Sequence, residues 1–176
     1  MTPNRKVIDI SHWNTVTDWA AVKAAGIVGV IAKATEGTGY VDDCYLSNAR
    51  GALGAGLLFG GYHFANASDP HQQVDHFLAV TGIDNDELLA LDWEDDPNGG
   101  TMSLAQAREF ISYLDAKIGS NRTVIYSGNT AKQALGSSCS LCRLCLRRRP
   151  VRLRRRLRHR RRRQPHRLPR PSRKGD

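Results

Sequence analysis

The sequence predicts an α/β fold built on a parallel sheet, and three observations lead to that prediction. Runs of β-branched and aliphatic residues alternate with helix-like runs five times along the chain, which is the pattern of parallel strands joined by helical crossovers. The helix-like runs carry capping residues at their ends. The alternation stops near Ser138, where the composition changes abruptly. This pattern fits either an α/β barrel or an open layered sheet.

Five segments are predicted to be strands because they are rich in Val, Ile and Leu. They are Val7–Ser11, Val28–Glu36, Leu57–Phe64, Leu88–Glu94 and Thr123–Ser127. Side chains alternate between the two faces of a strand, so Asp9 should point away from Ile8 and Ile10, which would pack against helices. By the same rule Asp92 and Glu94 should share one face, opposite the apolar side chains of the fourth strand.

Each predicted strand is followed by signals for a helix. The first helix should begin after Asp18 and end at Gly26, and the second should run from about Asp43 to Gly56, since Asp favours N-caps and Gly favours helix ends. Three further helices have starting signals of their own. These signals are Asp69 followed by Pro70, the capping box of Ser103 and Gln106 in a helix that ends at Gly119, and Thr130 after Asn129.

Charge divides the chain into two parts. Residues 1–138 carry nine Lys and Arg against sixteen Asp and Glu, a net charge of −7, whereas residues 139–176 carry seventeen against one, a net charge of +16. We therefore predict one globular domain over 1–138 and an arginine-rich, low-complexity tail over 139–176. If the tail is a true part of the protein, nucleic acid is an expected partner of the tail alone, because the globular part is acidic.

The tail has two interpretations. Between Leu141 and Arg173, 29 of 33 residues are Arg, Leu, Pro, His or Gln, and these five residue types share codons that begin with C. A GC-rich gene read out of frame would produce this bias, so we hypothesise a frameshift near codon 138. The alternative is a true disordered basic tail, since such a composition cannot bury enough apolar surface to fold. The sequence of the coding DNA distinguishes the two.

The cysteines and histidines do not indicate a disulfide or a metal site. Cys44 stands alone, and a triplet in the tail lacks a fourth zinc ligand at the usual interval. His63 should be buried with its hydrogen bonds satisfied, because it alternates away from Tyr62, and His12 should lie near the mouth of a barrel. The triplet consists of Cys139, Cys142 and Cys145.

Three carboxyl groups are candidates for catalysis. In a parallel α/β barrel the reactive groups come from the carboxyl ends of different strands, where Asp9, Asp92 and Glu94 are expected. Two like charges side by side raise the pKa of one of them, and glycosidic cleavage needs a protonated carboxyl beside a negative charge. The alternative for Asp92 and Glu94 is an acidic strand end that enters a turn.

Four stretches in register on successive predicted strands resemble the glycoside hydrolase family 25 lysozymes of the Chalaropsis type. They are Ile8–Ser11, Lys33–Gly37, Gly61–Phe64 and Asp92–Glu94, and the resemblance covers about residues 5–135. It implies an irregular TIM-like β/α barrel that hydrolyses the bond between N-acetylmuramic acid and N-acetylglucosamine in peptidoglycan glycan strands, without a cofactor or metal. It also implies that Glu94 is the proton donor, while Asp92 and Asp9 orient the acetamido group and stabilise positive charge.

Four more residues are predicted to bind the sugar. Tyr62 and Tyr126 lie near strand ends, where an aromatic ring can stack on a sugar, although filling the core is an alternative for Tyr126. Simple alternation puts Lys33 and Glu36 on opposite faces, so we expect a bulge or loop between them. Glu36 should then line the cleft.

The sequence departs from the family after residue 138. The family has further barrel strands and another late active-site aspartate, whereas the only acid after Ser138 here is Asp176. We therefore expect an incomplete barrel of about five βα units with open edges. The alternatives to an active hydrolase are an inactive truncated product, a pseudoenzyme that binds carbohydrate, and a binder of nucleic acid or anionic surfaces through its tail.

The start of the chain and its hydropathy lead to an expectation about location. Met1–Lys6 lacks the hydrophobic stretch of a signal peptide, and no segment reads as a membrane span. We expect a monomer made in the cytoplasm that acts on the cell wall after lysis, as a phage endolysin does, or after export by another route.

Overall fold

A computed structural model of the protein describes residues 6–82 and 87–135. Within these residues six strands form one sheet, and five helices connect them or follow them. The strands are β1 (Lys6–Ile10), β2 (Ile27–Glu36), β3 (Tyr40–Val41), β4 (Leu58–Phe64), β5 (Leu88–Asp92) and β6 (Thr123–Tyr126). The helices are α1 (Trp19–Ala24), α2 (Tyr45–Gly54), α3 (Pro70–Thr81), α4 (Leu104–Ile118) and α5 (Asn129–Leu135).

The sheet has the order β1-β2-β4-β5-β6, and every neighbouring pair in this order is parallel. The predicted α/β class and all five predicted strands are confirmed, with boundaries that differ by one or two residues. The short strand β3 was not predicted. It pairs with the end of β2 in an antiparallel hairpin, whose turn begins at Gly37 with a φ of 51°.

Three helix starts follow the predicted caps, whereas α2 begins after Cys44, without a side-chain cap, and not at Asp43. The Asp18 carboxylate accepts hydrogen bonds from two backbone amides of α1, and Asp69 accepts one from the amide of Gln72, with Pro70 in the first turn. Ser103 and Gln106 form the reciprocal capping box of α4. Each cap satisfies amides that have no partner inside the helix, so these starts are fixed by local sequence.

The hydrophobic core lies between the sheet and the helices. Leu89, Leu91 and Trp93 point from β5 and the residue after it into this core, where each is at most 1% exposed. His63 on β4 is fully buried, and its ring hydrogen-bonds to Thr35 Oγ1 at 2.8 Å and Gln73 Oε1 at 3.0 Å. Burial lowers the pKa of His63 to about 4, so the expected buried and satisfied histidine is confirmed.

The other face of the sheet is concave and accessible. Residues of β1, β2, β4, β5 and β6 line a single cavity on this face, which requires the sheet to curl like part of a barrel. In the described part of the chain, β1 and β6 each pair with one neighbouring strand only. Within the described residues the sheet is therefore curled into a half-barrel, which agrees only roughly with the incomplete TIM-like barrel of about five βα units that was expected.

Some predictions fall partly or wholly outside the described residues. The tail over 139–176, with its cysteine triplet, belongs to them. Cys44 is a free thiol in the part that the structure describes. Among the helices described, none combines the length and the hydropathy needed to cross a bilayer.

Candidate active site

A cavity of about 210 Å³ occupies the concave face of the half-barrel. Its polar side chains come from four strands, because inward positions on neighbouring strands lie side by side. They are Asp9 from β1, Tyr62 from β4, Asp92 from β5 and Tyr126 from β6. Aliphatic side chains of the same strands complete the walls. Two of the three predicted catalytic carboxyl groups and both predicted tyrosines thus meet in one cavity.

Asp92 is the most perturbed carboxyl group of this site. Its Oδ1 atom is buried and has no hydrogen-bond partner among the described residues. Burial, followed by the charge of Glu94, raises the pKa of Asp92 to about 7, and Asp9 adds to this rise while Lys33 opposes it. One carboxyl of the pair therefore holds a proton near neutral pH, as the sequence predicted, and this carboxyl is Asp92.

Glu94 lies two residues beyond the end of β5 and is half-buried. The backbone around it is held on two sides, since the Trp93 indole donates to Met102 O at 2.7 Å and Ser127 Oγ donates to Trp93 O at 2.6 Å. A side chain at Gly128 would begin 3.2 Å from Glu94 Oε1. Glu94 is thus placed at the mouth, next to the loop that follows β6, and is not among the residues that line the cavity.

Lys33 and Glu36 form an ion pair at the same end of the sheet. The register of β2 against β4 shifts between Lys33 and Thr35, so the predicted irregularity exists and brings both side chains together. Lys33 Nζ lies 2.5 Å from Glu36 Oε2. Both side chains lie outside the set that lines the cavity, and the contact of Glu36 with sugar stays a prediction.

The two tyrosines differ in environment. Tyr62 is half-buried, its hydroxyl hydrogen-bonds to Ser11, and burial together with Asp92 raises its pKa. Tyr126 is 57% exposed on the concave face, so the alternative that it fills the core is wrong. Both rings are available to a ligand in the cavity.

Sequence reasoning missed a second polar cluster next to the cavity. The buried Asp42 carboxylate accepts hydrogen bonds from the backbone N and the Nδ1 of His12, at 3.1 and 2.7 Å. Tyr40 also contacts His12, through its hydroxyl at 3.2 Å. The signal was present in the sequence, because Gly37-Thr38-Gly39 between two β-type segments is typical of a hairpin. His12 itself was expected near the mouth, and it lies there.

Carboxyl groups gathered at the carboxyl ends of parallel strands, one of them protonated near neutral pH, define an acid/base site of the kind that glycoside hydrolases use. In the described part of the chain, no group of three or more His, Cys, Asp or Glu side chains is arranged to hold a metal ion. The chain belongs to glycosyl hydrolase family 25, since the sequence model of that family matches residues 8–140.

Individual proteins show the same relationship. The chain is 39% identical over 132 residues to Lysozyme M1 of Streptomyces globisporus. This alignment covers 68% of this chain and 45% of that protein. Among solved structures it is similar to the bacterial lysozyme from Streptomyces coelicolor, with 35% identity, a TM-score of 0.67, and coverage of 82% of this chain and 73% of the other. It is also similar to the muramidase from Acremonium alcalophilum, with 32% identity, a TM-score of 0.68, and coverage of 78% and 72%.

The chain spans only part of its relatives. The aligned region is less than half of the Streptomyces globisporus protein. A second alignment, with the autolytic lysozyme of Clostridium acetobutylicum, has 40% identity over 90 residues. It covers 51% of this chain and 28% of that protein.

Proposed function

We propose that this chain is a muramidase that hydrolyses the bond between N-acetylmuramic acid and N-acetylglucosamine in bacterial peptidoglycan. The observation that carries the proposal is the meeting of Asp9 and Asp92 in one cavity, with Glu94 close enough to raise the pKa of Asp92. Membership of glycosyl hydrolase family 25 and the similarity to lysozymes support it. Peptidoglycan strands are the proposed partner.

Glu94 is the proposed proton donor. Its half-buried position at the mouth leaves it able to reach a glycosidic oxygen and to regain a proton from solvent after each turnover. General acid catalysis by a positioned carboxyl contributes about 100- to 10,000-fold to the rate. Because Gly128 has no side chain, the Glu94 carboxyl has room beside the loop after β6.

Asp92 and Asp9 have supporting roles in this proposal. The unpartnered Oδ1 of Asp92 is available to the acetamido group of the sugar, either as acceptor or, below about pH 7, as donor. Asp9 lies across the cavity on β1, where a carboxylate stabilises the positive charge that develops on the sugar ring. Tyr62 and Tyr126 then contact the sugar from the strands beside Asp92.

The raised pKa at Asp92 also allows the opposite division of roles, with Asp92 as acid and Glu94 as the negative charge. The activities of two variants, measured over a range of pH, distinguish these two assignments of the proton donor. If Glu94 is the donor, Glu94→Gln loses activity at every pH, whereas Asp92→Asn keeps residual activity. The reverse pattern would assign the proton donor to Asp92.

Product analysis tests the proposed reaction directly. Purified bacterial cell walls are incubated with the full chain, and the new reducing ends are converted to sugar alcohols with borohydride. A muramidase yields muramitol, because cleavage leaves N-acetylmuramic acid as the reducing end. Glucosaminitol alone would contradict the proposed bond, and binding to walls with no new reducing ends would show a pseudoenzyme instead.

A further inference from the structure

An exposed aromatic surface lies beside the cavity, where β1 ends and β3 begins. It consists of His12, Trp13 and Tyr40, which we call the aromatic platform. Trp13 is 83% exposed and Tyr40 is 41% exposed. The His12 ring centroid lies 4.5 Å from that of Trp13 and 6.2 Å from that of Tyr40. Grouped aromatic rings that remain open to solvent often mark a binding surface.

Hydrogen bonds with buried Asp42 and with His76 of α3 hold the aromatic platform in place. The side chain of Asp42 is fully buried, and it binds both the backbone N and the Nδ1 of His12. Its other oxygen accepts a hydrogen bond from the backbone N of Cys44 at 3.0 Å. His76 Nε2 lies 3.0 Å from the carbonyl oxygen of Tyr40, which ties the hairpin to α3. A surface that is already ordered loses less entropy when it binds a ligand.

The Asp42 contact also determines which nitrogen of His12 is available. A carboxylate only accepts hydrogen bonds, so His12 Nδ1 carries the hydrogen in this contact. Nε2 has no hydrogen-bond partner among the residues that the structure describes. That nitrogen accepts a hydrogen bond when the ring is neutral and donates one when the ring is charged, and a sugar offers hydroxyl and acetamido groups for both cases.

The aromatic platform is continuous with the cavity. Lys33 Nζ lies 5.3 Å from the centroid of the Tyr40 ring and 5.0 Å from that of Phe64, so the Lys33 side chain bridges β3 and β4. On the other side, the hydroxyl of Tyr62 hydrogen-bonds to Ser11, the residue directly before His12. Tyr62, which lines the cavity, is therefore linked through Ser11 to His12 of the platform.

We propose that the aromatic platform is a second saccharide subsite, which binds a further sugar of the glycan strand whose cleaved bond lies over Asp92 and Glu94. Trp13 and Tyr40 provide apolar faces for a pyranose ring, and His12 Nε2 provides the polar contact. The inference rests on the proposed function, since it names how that substrate is held beyond the reacting bond. Asp42 is a positioning residue that acts through His12.

Intrinsic fluorescence tests this placement without turnover. The Glu94→Gln chain is titrated with a soluble peptidoglycan tetrasaccharide of two N-acetylglucosamine and N-acetylmuramic acid repeats. The chain has three tryptophans, of which Trp93 is 1% exposed and Trp19 is half-buried. We expect a blue shift of the emission that Trp13→Phe removes. The matched control Trp19→Phe should keep the shift.

Affinity provides the second readout. Trp13→Ala in the Glu94→Gln chain should raise the Kd for the tetrasaccharide about three- to tenfold, the size of one aromatic stacking contact. Leu53→Ala is the control, since Leu53 is an exposed apolar residue on α2. If Trp13→Ala leaves the Kd unchanged and Trp13→Phe leaves the emission shift unchanged in the Glu94→Gln chain, while the wild-type chain yields muramitol from walls, the subsite is overturned and the proposed function is left intact. If the Glu94→Gln chain does not bind the tetrasaccharide and the wild-type chain releases no muramitol, both proposals are contradicted.

Discussion

Asp92 and Glu94 lie two residues apart in the sequence but differ in their burial and in their position relative to the end of β5. Both carboxyl groups leave the end of β5 on the same side, as alternation predicts. Asp92 belongs to β5 and has a buried oxygen. Glu94 lies beyond the end of β5, at the mouth of the cavity. Burial in the sheet is thus the largest cause of the raised pKa of Asp92, and sequence spacing alone does not show how deeply a residue is buried.

We predict that Asp92→Asn stabilises the chain at neutral and higher pH. The pKa of Asp92 is raised from 3.8 to about 7, so between these values the folded chain holds a proton that the unfolded chain releases. The stability that Asp92 contributes is therefore present below about pH 4, is lost as the pH rises to about 7, and stays low above that. Asparagine has no such charge to desolvate.

Urea unfolding at several pH values measures this effect. The variant should be more stable than the wild type by about 2 to 4 kcal/mol at pH 8, and this difference should shrink as the pH falls toward 4. Asp95→Asn is the control, because Asp95 is an exposed neighbour and should show no such gain. A difference that does not depend on pH would contradict the raised pKa.

At the scale of single elements, local sequence was sufficient wherever one short segment decides the structure. Asp18, Asp69 and Ser103 each start a helix in the way that their side chains predict. A cap needs only three or four consecutive residues, so it can be read without knowledge of the fold. The apolar positions of α4 and β5 were predictable for the same reason.

Loss of the capping box should weaken α4 by a measurable amount. Ser103→Ala removes the acceptor for the Gln106 amide, and loss of such a cap costs about 1 kcal/mol of stability. The free energy of unfolding in urea measures this cost. Ser112→Ala, at an exposed position within the same helix, should change it much less. Equal effects of the two substitutions would mean that the cap does not stabilise α4.

Features that join distant parts of the chain were harder to predict. Alternation required an irregularity between Lys33 and Glu36, but the pairing with β4 places the shift between Lys33 and Thr35. The contact between His12 and Asp42 joins residues thirty positions apart, and neither residue has a local feature that names the other. Their proximity follows from the unpredicted hairpin of β2 and β3.

At the scale of the whole molecule, the charge of the two parts of the chain distinguishes the proposed glycan hydrolysis from nucleic-acid binding. Residues 1–138 have a net charge of −7, and residues 139–176 have a net charge of +16. The cavity carboxyl groups disfavour a polyanion such as DNA in the cavity. Any binding to nucleic acid should therefore depend on residues 139–176.

DNA binding measured at several salt concentrations tests that dependence. The full chain should bind with an affinity that falls steeply with salt, by a logarithmic slope of about −0.9 for each phosphate neutralised. Removal of residues 139–176 should abolish the binding, whereas Asp9→Asn should leave it unchanged. Binding that survives the removal would place a nucleic-acid site in the acidic part.

The half-barrel follows from the parallel order of its five long strands, and family 25 membership gives a reason for the carboxyl groups on its concave face. The alternation of strands and helices predicted the parallel sheet. It left open whether the sheet is flat or curled, because curvature depends on how β1 and β6 approach the same cavity. The described chain settles this in favour of a curled sheet.

Clearing of a bacterial cell-wall suspension by the wild type and by Glu94→Gln tests the central claim most directly, with Asp95→Asn as the matched control. Loss of a general acid should slow clearing about 100-fold or more, while Asp95→Asn should clear walls at the wild-type rate. Equal clearing by the wild type and Glu94→Gln would contradict the assignment of proton donation to Glu94.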